Sequence, residues 1–368
     1  MAKVICYPIG NADCTLIEFD DEKRLLVDFC HRDGTDDKRV DLAAELRARL
    51  GKPPALDYVA FTHADDDHCA GADEFFHFDH AKSRQGGDRV VMRELWVPAN
   101  YITEEGLEDA ARCIRQEARY RLEQRGRVRV FGHTDKLDGW LAAKKITWKE
   151  VAHLFTTAGS FVPGFCPENS DPAHVFLHSP FSFLAEEDDT ERNNNSLVFQ
   201  VTFQPDSRPC RLLLGADAEH ELWEQIITTT LRNDNDERLM WDAFRVSHHA
   251  SYGCLAASRD DKVVEGIDRL FREFGQQCGR LIASCRLPVS SKTDNDPPHQ
   301  EAVSYYQGVA EEMGGKGNFI MTMKWPSAEK PQPYCLMTTP QGFVECSQPG
   351  TARGGSSPVS VEPRRFGR

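Results

Sequence analysis

At 368 residues, 40% of them hydrophobic, the chain is long enough for one large α/β domain or two small ones with a proper core. A net charge of −14 excludes indiscriminate binding to nucleic acid over the whole surface, but leaves room for a local basic groove. No apolar run is long enough to span a bilayer, and Met1-Ala2-Lys3 leads straight into a strand-like segment, so a soluble cytoplasmic protein without a membrane partner is expected. The 12 cysteines are scattered, with Cys6, Cys30, Cys210 and Cys285 inside apolar runs and no Cys-x-x-Cys pair; they read as reduced core residues.

Residues 4–19 read as strand, glycine turn, strand, and after a polar turn residues 24–28 complete a β-meander. Leu42, Leu46 and Leu50 then recur at four-residue spacing, as on a helix packed against a sheet, and Lys52-Pro53-Pro54 ends it. A short apolar strand over 56–61 delivers Thr62-His63-Ala64-Asp65-Asp66-Asp67-His68 to its C-terminal end, where an α/β sheet presents functional loops. Two histidines and three aspartates so close together would repel and desolvate one another if buried without a counter-charge. A metal is the simplest answer: imidazole with carboxylate suits zinc, manganese or iron, and several carboxylates allow two ions to share a bridge. The alternative is a solvated acidic turn.

Another strand is expected over 90–98, then a helix over 103–124. Arg112, Arg115 and Arg119 lie along one side of it, with Arg121, Arg125, Arg127 and Arg129 close behind. Such a cluster can grip a phosphate backbone or an acidic partner, or form a solvated helix face. No catalytic motif occurs between Asn100 and Asp171, and His133 and His153 are isolated, so a helical insertion over about 100–172 is expected to cap the sheet.

Residues 173–180 read as a strand carrying His178, and 193–201 as an asparagine-rich turn entering a strand. Residues 211–215 form a buried strand, after which Asp217 either bridges metals or caps a helix. The strand over 243–247 ends in His248-His249. Neighbours on an extended backbone point in opposite directions, so one of the two binds metal; His248 is favoured, and the assignment can be reversed. A strand over 280–285 precedes a helix opened near His299, which can protonate a leaving group or cap the helix. Two further strands follow at 318–323 and 334–337, and 347–368 reads as a disordered tail.

The pattern His63-x-Asp65-x-Asp67-His68 resembles the His-x-His-x-Asp-His of metallo-β-lactamase-fold hydrolases. Its aspartate in second place is similar to the metallo-hydrolase domain of ComEC competence proteins and their stand-alone relatives. Four more patches follow in the family's order: the opening turn and strand with Asp13 and Asp28, Asn195-Ser196-Leu197-Val198, Gly215-Ala216-Asp217, and His248-His249-Ala250-Ser251. Departures are the missing glycine after Asp28, Ala216 between Gly215 and Asp217, and Ala250 in place of glycine. Asn295 and His299 match only loosely.

The resemblance implies a four-layer αββα sandwich with a helical insertion, its hydrolase domain over 1–310, further strands over 311–346 packed on it, and two divalent ions, zinc or manganese. In that picture His63 and Asp65, with Asp217 and His178, hold one ion; Asp67, His68, Asp217 and His248 hold the other. Asp67 is also counted among the catalytic residues with His249 and His299, while Arg112, Arg115, Arg119 and Asn195 meet the substrate. Phosphodiester hydrolysis is implied, with DNA or another nucleic acid as substrate. The alternatives are a small phosphodiester or phosphorylcholine-type ester, or a partner-binding component of a multi-protein bacterial defence system.

Overall fold

The computed structural model describes residues 1–32, 38–169, 171, 173–181, 192–204, 208–289 and 295–346. The tail expected over 347–368 lies outside the described residues. Two sheets form the interior. The first takes β1 (Lys3–Cys6), β2 (Thr15–Glu18), β3 (Arg24–Val27), β4 (Ala55–Ala60), β5 (Phe76–His77), β6 (Val90–Pro98), β7 (Val128–Phe131) and β8 (Phe155–Thr156). The second consists of β9 (Ala173–Ser179), β10 (Val198–Phe203), β11 (Cys210–Leu214), β12 (Trp241–Arg245), β13 (Gly275–Ala283) and β14 (Phe319–Met321), in the order β14-β13-β12-β11-β10-β9. A C-terminal hairpin, β15 (Tyr334–Thr339) and β16 (Gly342–Glu345), returns to the first sheet, whose order is β16-β15-β1-β2-β3-β4-β6-β7-β8 with β5 beside β6.

Period-two alternation sorts the side chains into layers. Leu25 and Val27 of β3 face the other sheet, where Val175, Leu177, Phe199, Val201, Leu212 and Ile282 meet them; Leu26 points the other way, into a core shared with Leu42, Leu46 and Ile114 of the flanking helices. Behind the second sheet, Leu222, Trp223, Ile226 and Ile227 form the buried stripe of the helix His220–Arg232, and Val303, Tyr306 and Val309 that of Gln300–Met313. Helix, sheet, sheet, helix is therefore the order of layers, as the resemblance implies.

The stretch read as a capping insertion also continues the first sheet: β7 and β8 extend it in parallel beyond β6. Residues 311–346 are divided between the sheets, β14 pairing with β13 and β15 with β1. The expectation that every cysteine is a reduced core residue fails at the hairpin, whose return brings Cys346 to Cys335, Cα atoms 5.4 Å apart, as a disulfide; the other ten cysteines are free thiols. Among the described residues no helix is long and apolar enough to cross a membrane.

β3 runs parallel to β4, and β11, β12 and β13 run parallel to one another, so within each sheet these C-terminal strand ends emerge along one edge. Asp28, Thr62, Asp217, His248 and Ser284 all follow such ends.

Candidate metal centre

The centre begins at Asp28, just past β3. Its Oδ1 accepts from the Thr62 N–H at 2.7 Å, and its Oδ2 accepts from the Thr62 hydroxyl and lies 2.8 Å from His68 Nδ1. This carboxylate clamps the loop after β4 and fixes which nitrogen of His68 turns inward. The helical turn Asp66–Cys69 follows, and Gly71 ends it at φ +75°; a Cβ there would lie 2.5 Å from the His31 carbonyl oxygen, so only glycine fits.

From the second sheet comes Asp217, 2% exposed. Ala216, which interrupts the expected Gly-Asp pair, takes φ +44°. Gly215 passes so close to β12 that an added Cβ would fall 2.4 Å from Ser247 Oγ. His248, His249 and Ala250 are all left-handed, at φ +44°, +53° and +63°. Three such residues without glycine store strain of the kind that collects at functional sites.

That turn revises the assignment of the two histidines, which assumed an extended backbone. His249 is the buried one: its Nδ1 donates to the Ser284 carbonyl at 2.8 Å, turning Nε2 to Asp67 Oδ2 at 2.8 Å. His248, partly exposed, places Nε2 3.7 Å from Asp217 Oδ2 and Nδ1 3.8 Å from Glu219 Oε1.

The donors fall into two groups that meet at Asp217. Asp67, His68, Asp217 and His249 offer ligand atoms all within 4.8 Å of one another, with His68 Nε2 3.1 Å from Asp217 Oδ1 and 3.9 Å from Asp67 Oδ2. On the other side His63 Nε2 stands 3.5 Å from Asp65 Oδ2 and 3.8 Å from Asp217 Oδ2, the oxygen that also faces His248. Ligands about 2.0–2.2 Å from a shared ion lie about 3.3–3.6 Å apart at tetrahedral angles. The donor atoms themselves support this fit, because His63 Nε2, His68 Nε2 and Asp217 Oδ1 are buried without a hydrogen-bond partner. His68 and Asp217 approach closely but are not aligned as donor and acceptor, so their proximity does not satisfy them.

Burial disfavours a charged His68, yet Asp217, Asp28 and Asp67 together raise its pKa well above the ordinary value. Burial likewise opposes ionisation of Asp217, and the charges of His68, His248 and His249 beside it more than reverse that effect. The field in this pocket therefore calls for positive charge, as a cation site does.

Residues 7–85 match a family model described as the Metallo-beta-lactamase superfamily. The αββα layers match the metallo-β-lactamase fold. A solved structure of the metallo-β-lactamase SMB-1 bound to 2-mercaptoethanesulfonate is similar at 13% identity and a TM-score of 0.29, over 66% of this chain and 78% of that one. No curated protein matches the chain.

Several residues assigned to the site from the sequence lie elsewhere in the metallo-β-lactamase fold. His178 is not among the converging donors: Val175 and Leu177 take the inter-sheet face of β9, which turns His178 outward with Phe176, and its Nε2 meets the Arg238 carbonyl at 3.0 Å. Desolvation lowers its pKa to about 4, so it stays neutral. His299 sits at the N-cap of the helix Gln300–Met313, where Nδ1 accepts from the Tyr252 N–H at 2.8 Å and Nε2 donates to the Asn295 carbonyl at 3.1 Å. Both nitrogens are engaged in holding local structure together.

The arginines of the helix Asp109–Glu123 also turn inward. Arg115 is buried against the Glu104 carbonyl, Arg119 donates to the Ile102 carbonyl at 2.7 Å, and Arg121 is buried on Glu117 at 2.7 Å; Arg112 alone of the three proposed for substrate is exposed. Asn195 is buried in the turn Asn193–Asn195. What sequence reasoning missed is Arg192, which precedes that turn and pairs with both Asp65 and Glu104. A single cation after an acidic loop was the only available signal. Over the centre lies a cavity of about 430 Å³ lined by Asp65, Asp66, Asp67, Glu108 and Asp109, with Arg192 on its wall.

Proposed function

We propose that this protein is a metal-dependent hydrolase that cleaves phosphodiesters. The observation that carries the reading is Asp217, whose two oxygens face two separate groups of histidine and carboxylate donors delivered by different strand ends. His63, Asp65, Asp217 and His248 would hold one divalent ion, and Asp67, His68, Asp217 and His249 the other. The chemistry such ions supply is polarisation of the ester and activation of water at neutral pH. The chain's own residues prepare for it: Asp28 and the Ser284 carbonyl hold His68 and His249 with Nε2 presented inward, and Thr62 ties the loop of donors to Asp28. Asp65 where the resembled family carries histidine adds hard oxygen character, which favours manganese over zinc relative to an all-histidine site.

Within this class a small diester suits the site better than a polymer. The cavity is about 430 Å³ and its charged lining is acidic but for Arg192, while Arg115 and Arg119, two of the three arginines expected to grip a phosphate backbone, are bonded within the fold and Arg112 alone is exposed. A polyanion would meet the carboxylates of Asp66, Glu108 and Asp109 in the lining. The second reading, a nuclease, is favoured by the resemblance of His63-x-Asp65-x-Asp67-His68 to the ComEC-type pattern.

One experiment separates them. Metal-stripped protein, reloaded with manganese, zinc or magnesium, is given bis-nitrophenyl phosphate, single- and double-stranded DNA and RNA, beside the Asp67→Ala and His68→Ala variants. Cleavage of the small ester alone, lost in both variants, is the expected result. Cleavage of nucleic acid selects the second reading, and absence of hydrolysis with bound metal overturns both.

A further inference from the structure

The two donor groups are not held equally firmly. In the group of Asp67, His68, Asp217 and His249, both histidines are fully buried or nearly so, and both are fixed through Nδ1, by Asp28 and by the Ser284 carbonyl. That group has one partly exposed donor, Asp67 at 26%, whereas the other group has two. His248 is 26% exposed and Asp65 is 35% exposed. Asp65 occupies the N-cap position of the turn Asp66–Cys69 but makes no capping bond with its side chain, so the local backbone does not orient its carboxylate.

Arg192 does. Its Nη1 donates to Asp65 Oδ1 at 2.5 Å, leaving Oδ2 toward His63 Nε2 at 3.5 Å. On its other side the same guanidinium donates through Nε to Glu104 Oε1 at 2.7 Å. Glu104 is 7% exposed, at the end of the helix Ala99–Thr103, and its carbonyl is bonded by the buried Arg115. A rigid fork with two faces is suited to holding one carboxylate by bracing against another.

We infer that Arg192 is a positioning residue: braced by Glu104, it orients Asp65 and thereby sets the affinity of the metal position built from His63, Asp65, Asp217 and His248, without affecting the other. The inference rests on the two-metal reading above. Two effects oppose each other here. The positive guanidinium repels a cation, whereas loss of the strap frees a half-exposed carboxylate that nothing else orients. Arg192 is itself 34% exposed, so solvent screens its charge, and the orienting effect prevails.

The test is a titration of the metal-stripped full chain with manganese, and separately with zinc, followed by calorimetry and by elemental analysis after dialysis. Wild type is expected to bind two ions. Arg192→Met should hold one ion with unchanged affinity and the other about 10–100-fold more weakly, Glu104→Gln should show a smaller loss at the same position, and Arg192→Lys should recover part of it. The unaffected ion serves as the folding control. Cobalt(II) gives a second readout: the absorption of one bound ion should be lost at limiting metal in Arg192→Met, with the other spectrum intact. Equal affinities in Arg192→Met and wild type, equal weakening of both ions, or tighter binding in the variant would each overturn the inference. Fewer than two ions in wild type would show instead that the two-metal reading had failed, and the inference with it.

Discussion

Replacing Asp28 with asparagine should weaken metal binding at His68 without moving the backbone. Asp28 has φ +58°, a conformation asparagine tolerates better than most residues, so the backbone has no reason to move. The amide oxygen can keep the bond from the Thr62 N–H, now 2.7 Å. The amide nitrogen then replaces Oδ2, facing the Thr62 hydroxyl and His68 Nδ1, both 2.8 Å away. The hydroxyl rotates to accept. His68 Nδ1 must accept as well, which drives its proton to Nε2, the nitrogen that faces Asp217 Oδ1. A protonated Nε2 cannot ligate, so binding must first reverse the tautomer against the new bond. The expected cost is about 10–100-fold in affinity, or about 1.4–2.8 kcal/mol. Urea unfolding of the metal-free variant should show a loss of up to about 3–5 kcal/mol, because Asp28 is one of the buried carboxylates that favour a charged His68. Titration with zinc, beside denaturation of the stripped protein, measures both quantities. Undiminished zinc affinity in Asp28→Asn would refute the claim that this carboxylate sets the His68 tautomer.

His178→Ala should lose about 0.5–1.5 kcal/mol of stability for its hydrogen bond to the Arg238 carbonyl, which keeps a second donor in Gln200 Nε2 at 2.9 Å. Its metal stoichiometry should equal that of wild type by elemental analysis. Arg115→Met should lower the urea midpoint by the equivalent of about 1–3 kcal/mol, and filter binding to DNA across a salt series should not change, since Arg115 is buried on the Glu104 carbonyl. Gly71→Ala should cost about 2–5 kcal/mol from the left-handed backbone and the clash with the His31 carbonyl, read as a fall in thermal midpoint.

The parts of the centre that are contiguous in the chain were legible before the structure. His63, Asp65, Asp67 and His68 occupy one loop at a strand end, and Asp217 follows a buried strand, so local pattern was enough. The roles of His248 and His249 were not, because they depend on a left-handed turn that residues other than glycine seldom adopt. Arg192 and Asp65 are 127 positions apart and meet only when the two sheets pack. The arginine helix misled for a physical reason: its charges suggested a solvated or ligand-binding face. The carbonyls of the buried Ile102 and Glu104 lie beside it, and these draw Arg119 and Arg115 inward. β7 and β8 are short strands among helices, too brief for alternation to announce them.

β1 lies between β2 and β15, and Ala2 exchanges hydrogen bonds with Thr338, whose hydroxyl accepts from the Ala2 N–H at 2.9 Å and whose N–H donates to the Ala2 carbonyl at 3.0 Å. During synthesis β1 therefore carries an unmatched edge until the hairpin arrives more than three hundred residues later. Edges of that kind recruit other chains. Pairing across such a separation is also among the slowest steps a sheet can require. Truncation before Tyr334 would leave the donor residues in place and convert the protein into one that aggregates during synthesis.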